Sequence, residues 1–243
     1  MLRKASATAA VITQQPSAGS QAVAGSSHQL ESGARQPRGA HTRATILQAA
    51  ERIFAEVGLE GARTEAIAEA AGVNKALLYY YFKGKDDLYL AVLESHLTEF
   101  RRRALGVLES KGSARVRLLR YVSLHFDFIS ARPYYPRLAH RLMSTDDRLV
   151  RRVVQEYSAP IYRKLAELIE EGVRSREFRQ VNSHHTIYSL VGLSVFYFAA
   201  APIVKELTQI DAFDRANVAC RRDEVLKFIR YGLFRNPAQK LNH

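Results

Sequence analysis

The sequence predicts an all-α protein, with a short N-terminal unit of three helices and a longer helical region behind it. Three observations carry this expectation. Apolar residues recur at helical spacing through most of residues 41–236, the pattern of helices that bury one face. No stretch alternates apolar and polar residues as a half-buried strand would, and no Gly-rich phosphate loop or internal repeat is present. The stretch Thr64–Leu88, TEAIAEAAGVNKALLYYYFKGKDDL, reads as a helix, a tight turn, a second helix and the start of a third.

Residues 1–40 are rich in Ala, Ser, Gly and Gln, with Pro16 and Pro37 and no sustained apolar periodicity. Such a composition cannot bury enough surface to offset chain entropy, so a disordered arm is expected. Arg35 and Arg38 would let it touch DNA beside a main site. It lacks the amphipathicity of a transit peptide and the continuous apolar core of a secretion signal. Thr42 to Val57 follows as an amphipathic helix, with Ile46, Ala50, Ile53, Phe54 and Val57 in one stripe and Gly58 as its stop.

The next helix carries Ala66, Ile67 and Ala70 and stops at Gly72, because glycine accepts the left-handed conformation of many helix ends. Val73 and Leu78 face inward across the turn, and Lys75–Phe82 forms the second helix. Asp86 and Asp87 open a third in its positive first turn. That helix runs to about Leu108, where Ser110-Lys111-Gly112-Ser113 breaks it.

Residues 113–131 form another helix, closed by Pro133. Tyr134–Met143 is shorter. Asp146 to Ser175 is long and kinked at Pro160, which cannot donate a backbone hydrogen bond. Thr186–Val204 holds 19 residues without a charge. Its length suits a membrane span. Its polar interruptions and two apolar stripes suit a helix buried on both sides instead. The last helix spans about Arg215 to Phe234. The expected division is an arm at 1–40, a helix-turn-helix domain at 41–88, a larger helical domain at 89–236 and a tail at 237–243.

Composition bounds the rest. Hydrophobic residues make up 47% of the 243-residue chain, enough for a sizeable core. The single cysteine, Cys220, excludes an internal disulfide and a cysteine-built metal site, fits a cytoplasmic location, and is expected to be buried. The net charge of +12 suggests a polyanionic partner. Yet residues 41–90 carry a net −1 and residues 91–141 a net +6. The motif, not the charge, therefore points to DNA. His184 and His185 are adjacent and would point about 100 degrees apart on a helix, so they cannot share a metal. No nucleophile–base pair appears, and neither enzymatic activity nor a cofactor is expected.

The helix-turn-helix segment closely resembles the DNA-binding domain of the tetracycline-repressor (TetR) family. The matching residues are Ile67-Ala68, Ala71-Gly72-Val73, Lys75, Leu78-Tyr79-Tyr80-Tyr81-Phe82, and Lys85 followed by Asp86-Asp87-Leu88. The resemblance implies that Lys75, Ala76, Leu77, Tyr79 and Tyr80 face the major groove. It implies that Thr64, Tyr81 and Lys85 grip phosphates. Arg63 stands where many members carry Ser or Thr, and is read as a further base or phosphate contact. Ala76 and Leu77 replace the glycine and threonine of many members, so base preference does not transfer.

The resemblance also implies a ligand-responsive regulator, a repressor, that binds a palindromic operator as a homodimer and is released by a small molecule. The aromatic supply of the second region nominates Tyr121, His125, Phe128, His140, Met143 and Tyr157 for the ligand. Ile187, Val191, Val195, Phe198, Val225, Ile229 and Leu233 are nominated for the dimer interface. The alternatives are a DNA-binding regulator without an effector, and a helical scaffold protein.

Overall fold

A computed structural model describes residues 38–142 and 147–238. The arm at residues 1–37, Met143 and the end of the tail lie outside the described residues. The first helix, α1 (Arg38–Gly61), begins four residues earlier than expected. It buries Ile46, Ala50 and Phe54 completely. Then come α2 (Thr64–Ala70), α3 (Lys75–Tyr81) and α4 (Lys85–Leu108). The Phe54 ring meets Tyr89 edge-on at 5.0 Å, joining α1 to α4. His96 Nε2 and Glu51 Oε1, 3.0 Å apart, join them again farther along.

Gly58 interrupts α1 with φ of +78°, and the helix resumes for one turn. Val57, expected in the buried stripe, stands half exposed at this break. The interruption frees the Glu56 carbonyl, which accepts a hydrogen bond from Arg141 Nη2 at 2.8 Å. The positive φ favours glycine at position 58, where a Cβ would also crowd the movable Arg141 guanidinium.

The larger region continues through α5 (Ala114–Ser130), α6 (Tyr135–Leu142) and α7 (Asp147–Val153). A π-helical turn, Val154–Ser158, leads into α8 (Ala159–Arg174). After it come α9 (Ser183–Ala199), α10 (Ala201–Thr208) and α11 (Arg215–Leu233). Among the described residues the only strand-like pairing is an isolated bridge between Phe178 and Phe234.

Pro160 sits in the first turn of α8, where its missing N–H deprives the Glu156 carbonyl of its helical donor. The backbone widens there into the π turn, with Ala159 N–H reaching Val154 O. Arg101 Nη1 on α4 donates to the orphaned Glu156 oxygen at 2.7 Å. The uncharged stretch expected as one helix is bent by 68° between α9 and α10. Pro202 stands in the first turn of α10. No single helix among the described residues is long and apolar enough to cross a membrane.

Two apolar clusters hold the fold. One lies under α1–α3 and takes in the first part of α4, but also Leu138 and Leu142 of α6, Val153 of α7 and Tyr157. The other gathers α5, α8, α9, α11 and the end of α4 around Phe126, Leu165, Ile169 and Phe198. A division after residue 88 falls inside α4. Cys220 is exposed on α11, not buried as its residue type suggested.

Candidate nucleic-acid interface and effector cavity

The turn between α2 and α3 is built by backbone hydrogen bonds. Gly72 takes φ of +66°. Its N–H reaches Glu69 O and Val73 N–H reaches Ala68 O, both at 3.0 Å. This pair of bonds closes a helix end around a left-handed residue. Asn74 then caps α3, its side chain accepting from Leu77 N at 2.7 Å. Sequence reasoning overlooked this cap, although an Asn just before an apolar helical run is its usual signal. Val73 packs partly buried and Leu78 is fully buried, so α3 is fixed by its inner face.

The outer face of α3 carries Lys75, Ala76, Tyr79 and Tyr80, all exposed. These are positions i, i+1, i+4 and i+5, which share one side of a helix. Tyr80 is 79% exposed, far more than a ring with a packing role would be. Leu77 is half buried beside that face. Lys75 Nζ is bonded to Glu65 on α2 and lies 5.8 Å from the Tyr79 ring centre. The Lys75 ammonium, donating to Glu65, holds that carboxyl below its ordinary range, and Glu65 holds Lys75 above its own.

Thr64 hydroxyl stands 3.4 Å from the Tyr79 hydroxyl. Arg63, at the start of α2, is exposed and makes no side-chain cap. Two expected phosphate grips are partly engaged inside the protein. Tyr81 is half buried, with its hydroxyl beside Gly39. Lys85 Nζ donates to Glu60 O at 3.2 Å, capping the end of α1.

A cavity of about 350 Å³ opens in the larger region, among α4–α9 and the π turn. Of the residues nominated for a ligand, Tyr121, His125 and Tyr157 line it. Phe128 does not: it is buried behind the wall, stacked on Phe100 at 4.4 Å. His140 faces a separate depression beside Gly58 and Arg141, because it is turned about 100 degrees around α6 from Ala139. Most of the lining that sequence reasoning missed is aliphatic, including Leu93, Leu97, Val150, Val153 and Ile161.

Among the described residues no charged side chain lines this cavity. Burial pushes the His125 imidazole down to about 4, which leaves it neutral at physiological pH. Burial likewise pushes the Tyr135 hydroxyl up to about 12 and the Tyr121 hydroxyl higher still. The cavity therefore offers a mainly apolar wall with a few uncharged hydrogen-bonding groups.

The residues nominated for a dimer interface are largely taken by the protein's own core. Ile187, Phe198, Val225, Ile229 and Leu233 are all under 7% exposed. Val191 and Val195 line the cavity. The helix does carry two apolar stripes, but the inward one is the stripe that was assigned to the partner. Its packing against α5 and α8 decides the orientation. The outward apolar residues are Tyr188 and Phe196 of α9, and Phe228 and Tyr231 of α11, all at least 65% exposed. Arg221 links the two helices, reaching Leu193 O and the Tyr197 ring. Among the described residues no group of His, Cys, Asp or Glu is arranged to hold a metal.

Comparison with known proteins gives independent findings. Residues 46–92 match the family described as bacterial regulatory proteins, tetR family. Residues 112–238 match the tetracyclin repressor-like C-terminal domain. The HTH-type transcriptional regulator RutR of Escherichia coli K12 is 30% identical over 67% of this chain and 76% of its own length. The HTH-type transcriptional activator FasR of Mycolicibacterium smegmatis is 38% identical over 40% of this chain, and the match spans 44% of that relative. The crystal structure of FadR from Bacillus subtilis in complex with stearoyl-CoA aligns over 76% of this chain and 96% of FadR. Its TM-score is 0.62 at 20% identity, a likeness of fold.

Proposed function

Because the chain belongs to the TetR family of bacterial transcriptional regulators, we propose that it binds a palindromic operator as a homodimer and acts as a repressor in the cytoplasm, released by a small effector. The observation that carries the DNA-reading role is the outer face of α3. Lys75, Ala76, Tyr79 and Tyr80 stand exposed together on a helix whose inner face is locked by Leu78 and whose start is capped by Asn74. Lys75 suits a guanine edge or phosphate, Ala76 and Leu77 suit thymine methyls, and tyrosine hydroxyls suit phosphate oxygens. Arg63, Thr64, Tyr81 and Lys85 flank this face as phosphate contacts, with Tyr81 and Lys85 keeping their present roles as braces to α1.

The homodimer reading rests on the outward faces of α9 and α11. Besides four exposed rings they carry Gly192 and Gly232, at which an added Cβ would meet nothing within 4 Å. A glycine inside an exposed helix costs about 1 kcal/mol relative to alanine. Close approach of a partner helix accounts for keeping it.

The effector reading rests on the uncharged cavity. A buried ammonium or carboxylate would find no counter-charge among the described residues there, so the enclosed part of the effector is neutral and mainly apolar, with one or two hydrogen-bonding atoms. FadR, similar in fold, was crystallised with stearoyl-CoA, whose acyl part is of this kind.

Selection from random duplexes tests the reading. Recovery of a palindrome with half-sites about 34–36 Å apart, or a multiple, supports it. Recovery of no palindrome overturns it, and absence of DNA binding at any salt concentration favours the scaffold reading. A regulator without an effector would bind its operator yet show no thermal stabilisation by any compound in a neutral metabolite library.

A further inference from the structure

Just beyond the ends of α8 and α11, the surface carries a depression of about 590 Å³. Its lining is Arg176, Arg179, Gln180, Arg235 and Asn236, three guanidinium groups and two amides with no carboxylate. None of the three arginines has an ion-pair partner among the described residues. Arg235 spends only its Nε–H, on Phe178 O at 3.3 Å. We infer that this depression is a binding site for a multiply charged phosphate group.

The arginines are held in place by a buried clamp. Phe178 and Phe234 stack at 5.3 Å with planes 6° apart. Gly172 makes room for the stack, since a Cβ there would stand 2.3 Å from the Phe178 ring. Arg179 N–H reaches Leu233 O at 2.8 Å and Arg235 N–H reaches Glu177 O at 3.1 Å, so the two arginine-bearing segments are laced together.

Local acidic charge is spent elsewhere. The Glu177 carboxylate accepts from the Ala114 and Arg115 N–H groups at the start of α5. The buried Arg115 guanidinium reaches Glu177 O and Asn236 O. Arg176 itself takes a left-handed φ of +61°, a conformation that costs energy in any residue but glycine.

Three cations held close together on one frame, with no carboxylate in the lining, attract a compact anion of charge two or more. Guanidinium forks pair bidentately with phosphate oxygens, and the Gln180 and Asn236 amides add neutral donors.

The test uses the full chain, with inorganic pyrophosphate as probe in chloride buffer of constant ionic strength. About 1 mM pyrophosphate should raise the thermal midpoint by several degrees. Arg179→Gln and Arg176→Asn, each made alone, should cut that rise by more than half, while melting no lower than wild type without the probe. Reading the two variants separately keeps the test decisive if one misfolds. A second arm measures binding of a random-sequence duplex. If both variants also weaken the duplex, the phosphate belongs to a nucleic-acid backbone; if only pyrophosphate is affected, it belongs to a small free compound. An equal midpoint rise in wild type and variants, or no rise together with unchanged duplex affinity, overturns the site. Neither result bears on the operator-reading face of α3.

Discussion

At the scale of single residues, two side chains carry sharp expectations. Glu65 ties up Lys75 in the free protein, and a carboxylate beside the reading face repels phosphates. Glu65→Gln should therefore strengthen DNA binding and steepen the plot of log affinity against log salt by about one unit. An unchanged slope would mean that Lys75 does not meet DNA. His125 gives a pH signature. Its folded-state value of about 4 lies below the ordinary 6.5 because burial disfavours the imidazolium. Above pH 6.5 the ring is neutral folded or unfolded, and it contributes no pH dependence. As pH falls below 6.5 the unfolded ring takes up a proton that the folded ring refuses until about 4. Stability should thus drop on acidification, by on the order of 1–2 kcal/mol at pH 5. Denaturant midpoints at pH 7 and 5 should show a smaller drop for His125→Gln. An identical drop would remove His125 as the source.

At the scale of elements, the π turn is the departure from regular helix that the cavity depends on, since Val154, Tyr157 and Ser158 all line it. Arg101→Ala leaves the Glu156 carbonyl without its donor and should cost about 1–2 kcal/mol. Pro160→Ala restores an N–H at that position, so the Arg101 substitution should cost much less in that background. A double-mutant cycle with no coupling would show that the two are unrelated. The order of the helices was legible in the sequence, because spacing, Gly72 and the Asp86-Asp87 pair mark elements locally. The widened turn was not, since Pro160 announces a disturbance while its form depends on Arg101, remote in sequence. The facing of α9 was equally hidden. A helix apolar on two sides does not say which side its own domain takes, and only packing against α5 and α8 decides. Three aromatic cavity residues were legible by type. Their aliphatic neighbours look like any core position until helices from across the region are brought together.

At the scale of the whole molecule, the two stripes of α9 now predict opposite outcomes. Phe196 is 72% exposed and Phe198 is 2% exposed. Phe196→Asp should give a folded monomer by light scattering, with loss of operator affinity. Phe198→Asp should unfold the protein, because an unpaired buried charge costs several kcal/mol. A dimer that survives Phe196→Asp would move the interface elsewhere. The cavity wall and the core beneath α1 also share residues: Leu93, Leu97, Leu142, Val153 and Tyr157 belong to both. Whatever fills the cavity presses on the same side chains that seat the DNA-reading helices. Thermodynamic linkage then makes the traffic run both ways: if an effector weakens operator binding tenfold, the operator must weaken effector binding tenfold. On the proposed reading, DNA competes with the effector without touching its site. The concentration that clears an occupied operator is set by the bound complex, not by the affinity of the free protein, and titrating effector with and without operator duplex would read the difference directly.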